Sequence, residues 1–208
     1  MTNLHAAGRA AVLLLLVTIS SHAMSVVPRD FDQLVARADT VFRGTVTEQH
    51  SLWKGEGEAR RIVTRVTLSV QETFKGAAVP TQSIEFLGGT VGDRTLTIPG
   101  MPKFSVGETY VLFVANNGRQ ICPLVGAYQG QFRVEKDQTT GEERIFTHNR
   151  TPLGNTAALG KAAASDHPLA STPQRDRSDA ISAAAFRMEI IQKVQAQGAH
   201  PAAELLND

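Results

Sequence analysis

With a single cysteine, Cys122, in 208 residues, the chain cannot close an internal disulfide, and no covalent cross-link holds its fold. Cys122 sits among apolar residues in "RQICPLVG" and reads as a buried structural thiol. Metal-ligand spacing is missing too. His50, His148, His167 and His200 are scattered, and no His-Cys or Cys-Cys pair stands at zinc spacing. There is no Gly-x-Ser-x-Gly elbow, no Walker pattern and no dinucleotide fingerprint. Charge of one sign is also lacking. Lys and Arg number 21 against 20 Asp and Glu, so the chain has no field to attract nucleic acid or an anionic membrane. No metal and no cofactor is expected from these absences.

The longest apolar run lies at the N-terminus. Arg9 and the amino group precede "AAVLLLLV" (10–17), which is short for a bilayer span, and "SSHAMS" follows with Ser21 and Ala23 at the −3 and −1 positions of a cleavage site. Residues 1–23 are therefore expected to be a signal peptide cut after Ala23, with a cut after Ser25 as the alternative. No cysteine stands directly after the apolar run, so no lipid anchor is expected there. Removing Arg9 with this segment leaves 20 basic and 20 acidic residues. The expected location is periplasmic or extracellular.

Beyond this segment the chain divides by pattern. "DFDQLVARA" (30–38) places Phe31, Leu34, Val35 and Ala38 on one helical face, with Asp30 as its cap. The period then changes to two. "TVFRGTVTEQH" sets Phe42, Gly44 and Val46 against Arg43, Thr45 and Thr47, and "RRIVTRVTLSVQETF" sets Ile62, Val66, Leu68 and Val70 against Arg65, Thr67, Ser69 and Gln71. The intervening "SLWKGEGEA" reads as a loop with Trp53 at its near edge. "SIEFLGG" and "RTLTIPG" alternate again, "ETYVLFVANNG" reads as a strand buried on both faces, and "GAYQGQFRVEKD" and "RIFTH" supply further strands. Five to seven strands at this spacing suit a barrel or sandwich. Residues 26–153 hold the β pattern and are expected to fold as one unit. Residues 154–177, rich in Ala, Ser and Pro, read as a linker. Residues 178–208 read as an amphipathic helix and tail, with Ile181, Ala184, Ala185, Met188, Ile191 and Val194 or Gln195 along the stripe.

The glycines of "GGTVGDRTLTIPGMP" (88–102) invite comparison with a phosphate loop. Such a loop needs a helix after its glycines, so that backbone N–H groups converge on the anion. Here a period-two segment follows, and the glycines are expected at hairpin corners or a bulge.

Three segments resemble netrin-like modules, the family that includes tissue inhibitors of metalloproteinases. They are "ADTVFRGTV" (38–46), "VTLSVQETFKG" (66–76) and "FSVGETYVLFV" (104–114), in the family's order and within residues 28–135. The resemblance implies a mainly β fold: a five-stranded OB-fold-like antiparallel barrel with a short N-terminal helix and a C-terminal helix. It also implies binding through loops. The family's cysteines are absent, and with them the N-terminal cysteine that inhibitors place on a catalytic zinc, so that mechanism does not carry over.

The leading functional reading is an exported, non-catalytic binding domain, protease-inhibitor-like, whose partner is another exported protein. Trp53 and Lys54 are its candidate binding residues, Trp53 as a surface anchor or as a cap on the core. The alternatives are a thiol or hydrolytic enzyme using Cys122, with His148 the one pairing to test, or a structural component of the cell envelope. Glu56, Glu58, Glu142 and Glu143 read as solvated turn charges. N-terminal sequencing of the exported protein is expected to give Met24 as the first residue; a protein that retained Met1 would refute the cleavage.

Overall fold

The computed structural model describes residues 27–138, 140–161 and 176–198. The signal-peptide expectation for 1–23, most of the 154–177 linker and the end of the chain lie outside the described residues. Helix α1 (Phe31–Arg37) forms where its pattern places it: the Asp30 carboxylate accepts the Gln33 N–H at 2.8 Å, and Phe31, Leu34, Val35 and Ala38 are buried.

Eight strands follow: β1 (Thr40–Lys54), β2 (Arg61–Lys75), β3 (Thr81–Leu87), β4 (Gly89–Val91), β5 (Arg94–Leu96), β6 (Thr109–Val114), β7 (Gln131–Lys136) and β8 (Glu143–Phe146). Six form one antiparallel sheet in the order β3-β2-β1-β6-β7-β8; β4 and β5 form a separate hairpin. The large sheet thus has six strands where the resemblance implies five, and its end strands β3 and β8 do not pair with each other. Helix α2 (Ala183–Gly198) closes the described chain.

β1 pairs with β6 through Thr40–Thr45 and with β2 from Val41 to Lys54. Its register against β2 shifts between Val41 and Phe42, between Arg43 and Gly44, and between Val46 and Glu48. Each shift adds local twist. Gly44 permits the closest approach: a Cβ there would stand 2.9 Å from the Ser69 carbonyl oxygen on β2.

The sheet carries a core on each face. One face packs Phe42, Val46, Val66, Leu68, Ile84, Phe86, Tyr110, Leu112 and Val114 together. The other packs Val41, Val111, Phe113, Phe132 and Ile145 beneath both helices. β6 contributes to both, as its unbroken apolar run requires. On the helix side four phenylalanines interlock. Phe31 of α1 and Phe186 of α2 have ring centroids 5.6 Å apart, and Phe113 and Phe132 lie 6.1 Å and 5.1 Å from Phe31 and Phe186 respectively.

Two sequence readings are corrected here. The buried stripe of α2 is Phe186 and Ile190 with Ala183 and Val194 beside them, whereas Ala184, Ala185 and Met188 face solvent. Tyr128 belongs to a short turn (Ala127–Gly130), and the strand begins at Gln131. Packing does not stop at Leu153: Leu153 is buried, Leu159 rests on the core, and Ile181 exchanges backbone hydrogen bonds with Ile145 and Leu153.

Because Phe186 completes the aromatic cluster, Phe186→Ala is expected to cost about 3–5 kcal/mol. The exposed Met188→Ala should stay within about 0.5 kcal/mol. Urea denaturation of the two variants checks the assignment; equal losses would contradict it.

Candidate functional site

β1 and β2 stay paired to their ends, through Trp53 with Ile62 and Lys54 with Arg61. Trp53 and Lys54 are therefore strand residues, and the connecting turn is shorter than the loop read from "SLWKGEGEA". Backbone pairing outweighs the local glycine signal, which is honoured only at Gly55 and Gly57, both with positive φ.

The pleat divides the two candidate residues. Successive side chains on a strand point to opposite faces. Lys54 turns to the face of Arg65 and Glu85 and, with Arg65, grips the Glu85 carboxylate; Arg65 Nη2 lies 2.7 Å from it. Trp53 turns to the face of Ser51, Ile62 and Thr64. It is 37% exposed, and the Arg60 guanidinium lies 4.6 Å from its ring centroid. Trp53 is thus a partly open aromatic platform with a cation stacked on it, and Lys54 belongs to a different surface.

What steadies the platform is the glycine-rich segment. After β3 the Gly88 N–H donates to the Ile62 carbonyl. Gly89, at φ 126°, lets the β4–β5 hairpin lie against Ser51 and Thr64, whose hydroxyls a Cβ at this position would overlap. Those hydroxyls are 3.0 Å apart, and Thr64 Oγ1 donates to the Gly88 carbonyl at 2.7 Å. The glycines of 88–102 therefore mark a hairpin and its folding onto the sheet, with Gly92 and Gly100 in turns at positive φ.

The remaining candidates separate. Cys122 packs half-buried against the core that holds Phe42, Leu68 and Leu112, and burial pushes its thiol up, away from the thiolate a nucleophile needs. The His148 ring lies against Tyr128, centroids 4.2 Å apart. Glu56 and Glu58 are exposed. Glu142 and Glu143 are tied to arginines, Glu142 to Arg144 at 2.7 Å and Glu143 to Arg43 at 2.8 Å. Among the described residues no group of His, Cys, Asp and Glu side chains is placed to hold a metal ion.

Sequence reasoning missed a charged cluster around Tyr110, at the rim of the core that holds Phe42 and Leu112. Arg133 is 8% exposed; it donates to Glu108 and to the Tyr110 hydroxyl, and its guanidinium lies 5.2 Å from the Tyr110 ring centroid. Arg150 adds a second bond to Glu108 at 2.7 Å. Burial and then the bond to Glu108 push the Tyr110 hydroxyl up to about 12. Burial works against ionising Glu108, but its bonds from Tyr110 and Arg133 and the nearby guanidinium charges outweigh it and hold its carboxyl below the usual range. The sequence signal was the i, i+2 placement of Glu108 and Tyr110 with Arg133 facing Tyr110 in register, and that register exists only in the folded sheet. Every group here has a partner, so the cluster reads as structural. A cleft between the sheet and α2 was also missed.

The Lys54–Glu85–Arg65 group makes a pH-dependent prediction. Hydrogen bonds from Lys54 and Arg65 hold the Glu85 carboxyl below its usual range. A depressed carboxylate stabilises the fold above its unfolded pKa, and that contribution is lost as pH falls through the folded value. Glu85→Gln should therefore cost about 1 kcal/mol at pH 7, with wild type and variant converging as the medium is acidified below about pH 4. Denaturation at several pH values checks this; a gap that widened in acid would contradict it.

No protein-family model matches the chain, and no curated protein is significantly similar to it. The functional reading rests on the geometry of the Trp53 platform and its surroundings.

Proposed function

We propose that the chain is an exported, non-catalytic binding domain of OB or netrin-like type that holds another exported protein through the Trp53 end of the β1–β2 hairpin. The observation that carries this reading is the Trp53 ring, 37% exposed at the end of a long paired hairpin with Arg60 stacked on it. Aromatic and arginine side chains are the strongest anchors in protein interfaces, because they bury large, rigid or planar surfaces at low entropic cost. The platform is also pre-ordered. Its base of Ser51, Thr64 and Gly88 is fully bonded, so little freedom is lost when a partner lands on it.

The barrel reading draws support from the coiling of β1, from the core wrapped by β1, β2, β3 and β6, and from the chain that covers the edge of β3. There Asn117 accepts the Glu85 N–H and donates to the Ser83 carbonyl, and the Leu87 N–H donates to the Ile121 carbonyl. In such a barrel side chains fill the interior, and ligands meet the outer face and loops.

Trp53→Ala is expected to weaken partner binding by about 2 kcal/mol or more while changing stability by about 1 kcal/mol or less. A photo-crosslinker at residue 54, on the opposite face, should capture less partner than one at residue 53. Unchanged affinity in Trp53→Ala, or a stability loss of about 3 kcal/mol, would make Trp53 a cap on the core and remove this site.

A further inference from the structure

We propose that Asn117 is a self-modification site: in the folded protein, with water as the only co-reactant, its side-chain amide is converted to a carboxylate, and the conversion loosens the hold of the 116–121 loop on β3. Asn117 and Gly118 turn the chain after β6, and both are exposed. Asn117 grips the outer side of β3 with both ends of its amide. Its Oδ1 accepts the Glu85 N–H at 3.2 Å, and its Nδ2 donates to the Ser83 carbonyl at 2.7 Å. Three features open this amide to attack by the next backbone nitrogen. The Gly118 N–H donates no hydrogen bond among the described residues, so that nitrogen is uncommitted. Gly118 has no Cβ to obstruct the approach, and the place where one would stand has no atom within 4 Å beyond the adjoining residues. The Glu85 N–H donates to the oxygen on which negative charge develops during attack, as a donor does in an oxyanion hole. The other described asparagines lack this combination. Asn149 Oδ1 also accepts a backbone N–H, from Thr151 at 3.3 Å, but Arg150 follows it; Thr156 follows Asn155, and Asn117 itself follows Asn116.

The step balances with ammonia as the leaving group. The Gly118 nitrogen gives its proton to water and bonds to Cγ of Asn117. The Cγ–Nδ2 bond breaks, and Nδ2 departs as ammonia, which leaves a cyclic succinimide. Water then opens the ring. Cleavage between the ring nitrogen and Cγ gives aspartate on an unchanged backbone. Cleavage between that nitrogen and the backbone carbonyl carbon gives isoaspartate, whose main chain is longer by a methylene. In sum an amide and a water become a carboxylate and ammonia, and nothing is oxidised or reduced. The new carboxylate accepts hydrogen bonds and cannot donate. The Ser83 carbonyl therefore loses its donor and faces a negatively charged oxygen instead. The isoaspartate product also displaces the loop. Further along this loop the Ile121 carbonyl accepts the Leu87 N–H at 2.8 Å, so the loosening extends along β3.

In the test the purified chain is incubated under native conditions at mildly alkaline pH, and conversion is followed by ammonia release and by peptide mapping with mass spectrometry. Asn117 is expected to convert at least about tenfold faster than Asn149 or Asn155 in the same folded sample, less than a single oxyanion donor supplies in enzymes. Asn117→Gln lengthens the side chain by a methylene and disfavours ring closure, so its ammonia release should fall to the level of the remaining amides. The converted fraction gains a negative charge and separates on anion exchange. Its Glu85 and Leu87 amides should exchange hydrogen at least about fivefold faster than in the unconverted fraction, while the paired amides of β1 and β6 keep their protection. Conversion of Asn117 no faster than that of Asn149 and Asn155, or unchanged ammonia release in a folded Asn117→Gln, would overturn the site. Equal exchange at Glu85 and Leu87 in the two fractions would overturn the loosening. If Asn117→Gln fails to fold, the wild-type peptide map decides the first question by itself.

Discussion

Every residue of β6 from Tyr110 to Val114 is buried, and a strand that alternates its side chains can be buried throughout only if something covers each of its faces. Most of the architecture answers that demand. Tyr110, Leu112 and Val114 point into the core wrapped by β1, β2 and β3, and Val111 and Phe113 point under the two helices. The phenylalanine cluster of α1, β6, β7 and α2 is the second cover, and it explains why both ends of the described chain return to the same face. With no disulfide available, this two-sided burial holds both ends of the described chain without a covalent bond.

What could be read from the sequence was the chemistry that acts locally. The α1 cap at Asp30 and the alternation of β2 depend on neighbours a few residues away, and both are present in the fold. The dry run of "YVLFV" announced a strand covered twice, though not by what. Readings that depend on distant partners went astray. Trp53 and Lys54 looked like loop residues because glycines follow them, but their place was set by pairing with Ile62 and Arg61. The face of α2 was misjudged because its alanines, Met188 and Ile191 make an apolar stripe of their own; the sheet selects the side bearing Phe186 and Ile190.

The same distinction separates the two concave or aromatic features of the surface. Trp53 is conspicuous in a sequence because it is the only tryptophan. The cleft beside α2 is defined by what its lining residues lack, and small side chains at Gly141, Ser182 and Ala184 mean nothing until a helix and a turn are brought face to face. Its ion pairs likewise join residues far apart in the chain, such as Arg43 with Glu143 and Arg187 with Glu72.

Asn117 has a consequence for the kind of recognition available to this protein. Its amide presents an acceptor and a donor to Glu85 and Ser83, as a neighbouring strand would, and Ile121 continues the ladder at Leu87. At the opposite edge, β8 is bonded by Ile181 and Leu153. Both borders of the sheet are thus occupied by the chain itself. An incoming peptide finds no vacant row of main-chain groups along these stretches on which to add itself as a further strand, and the same arrangement suppresses edge-to-edge polymerisation. Along these two borders, contact with any other chain is left to side chains.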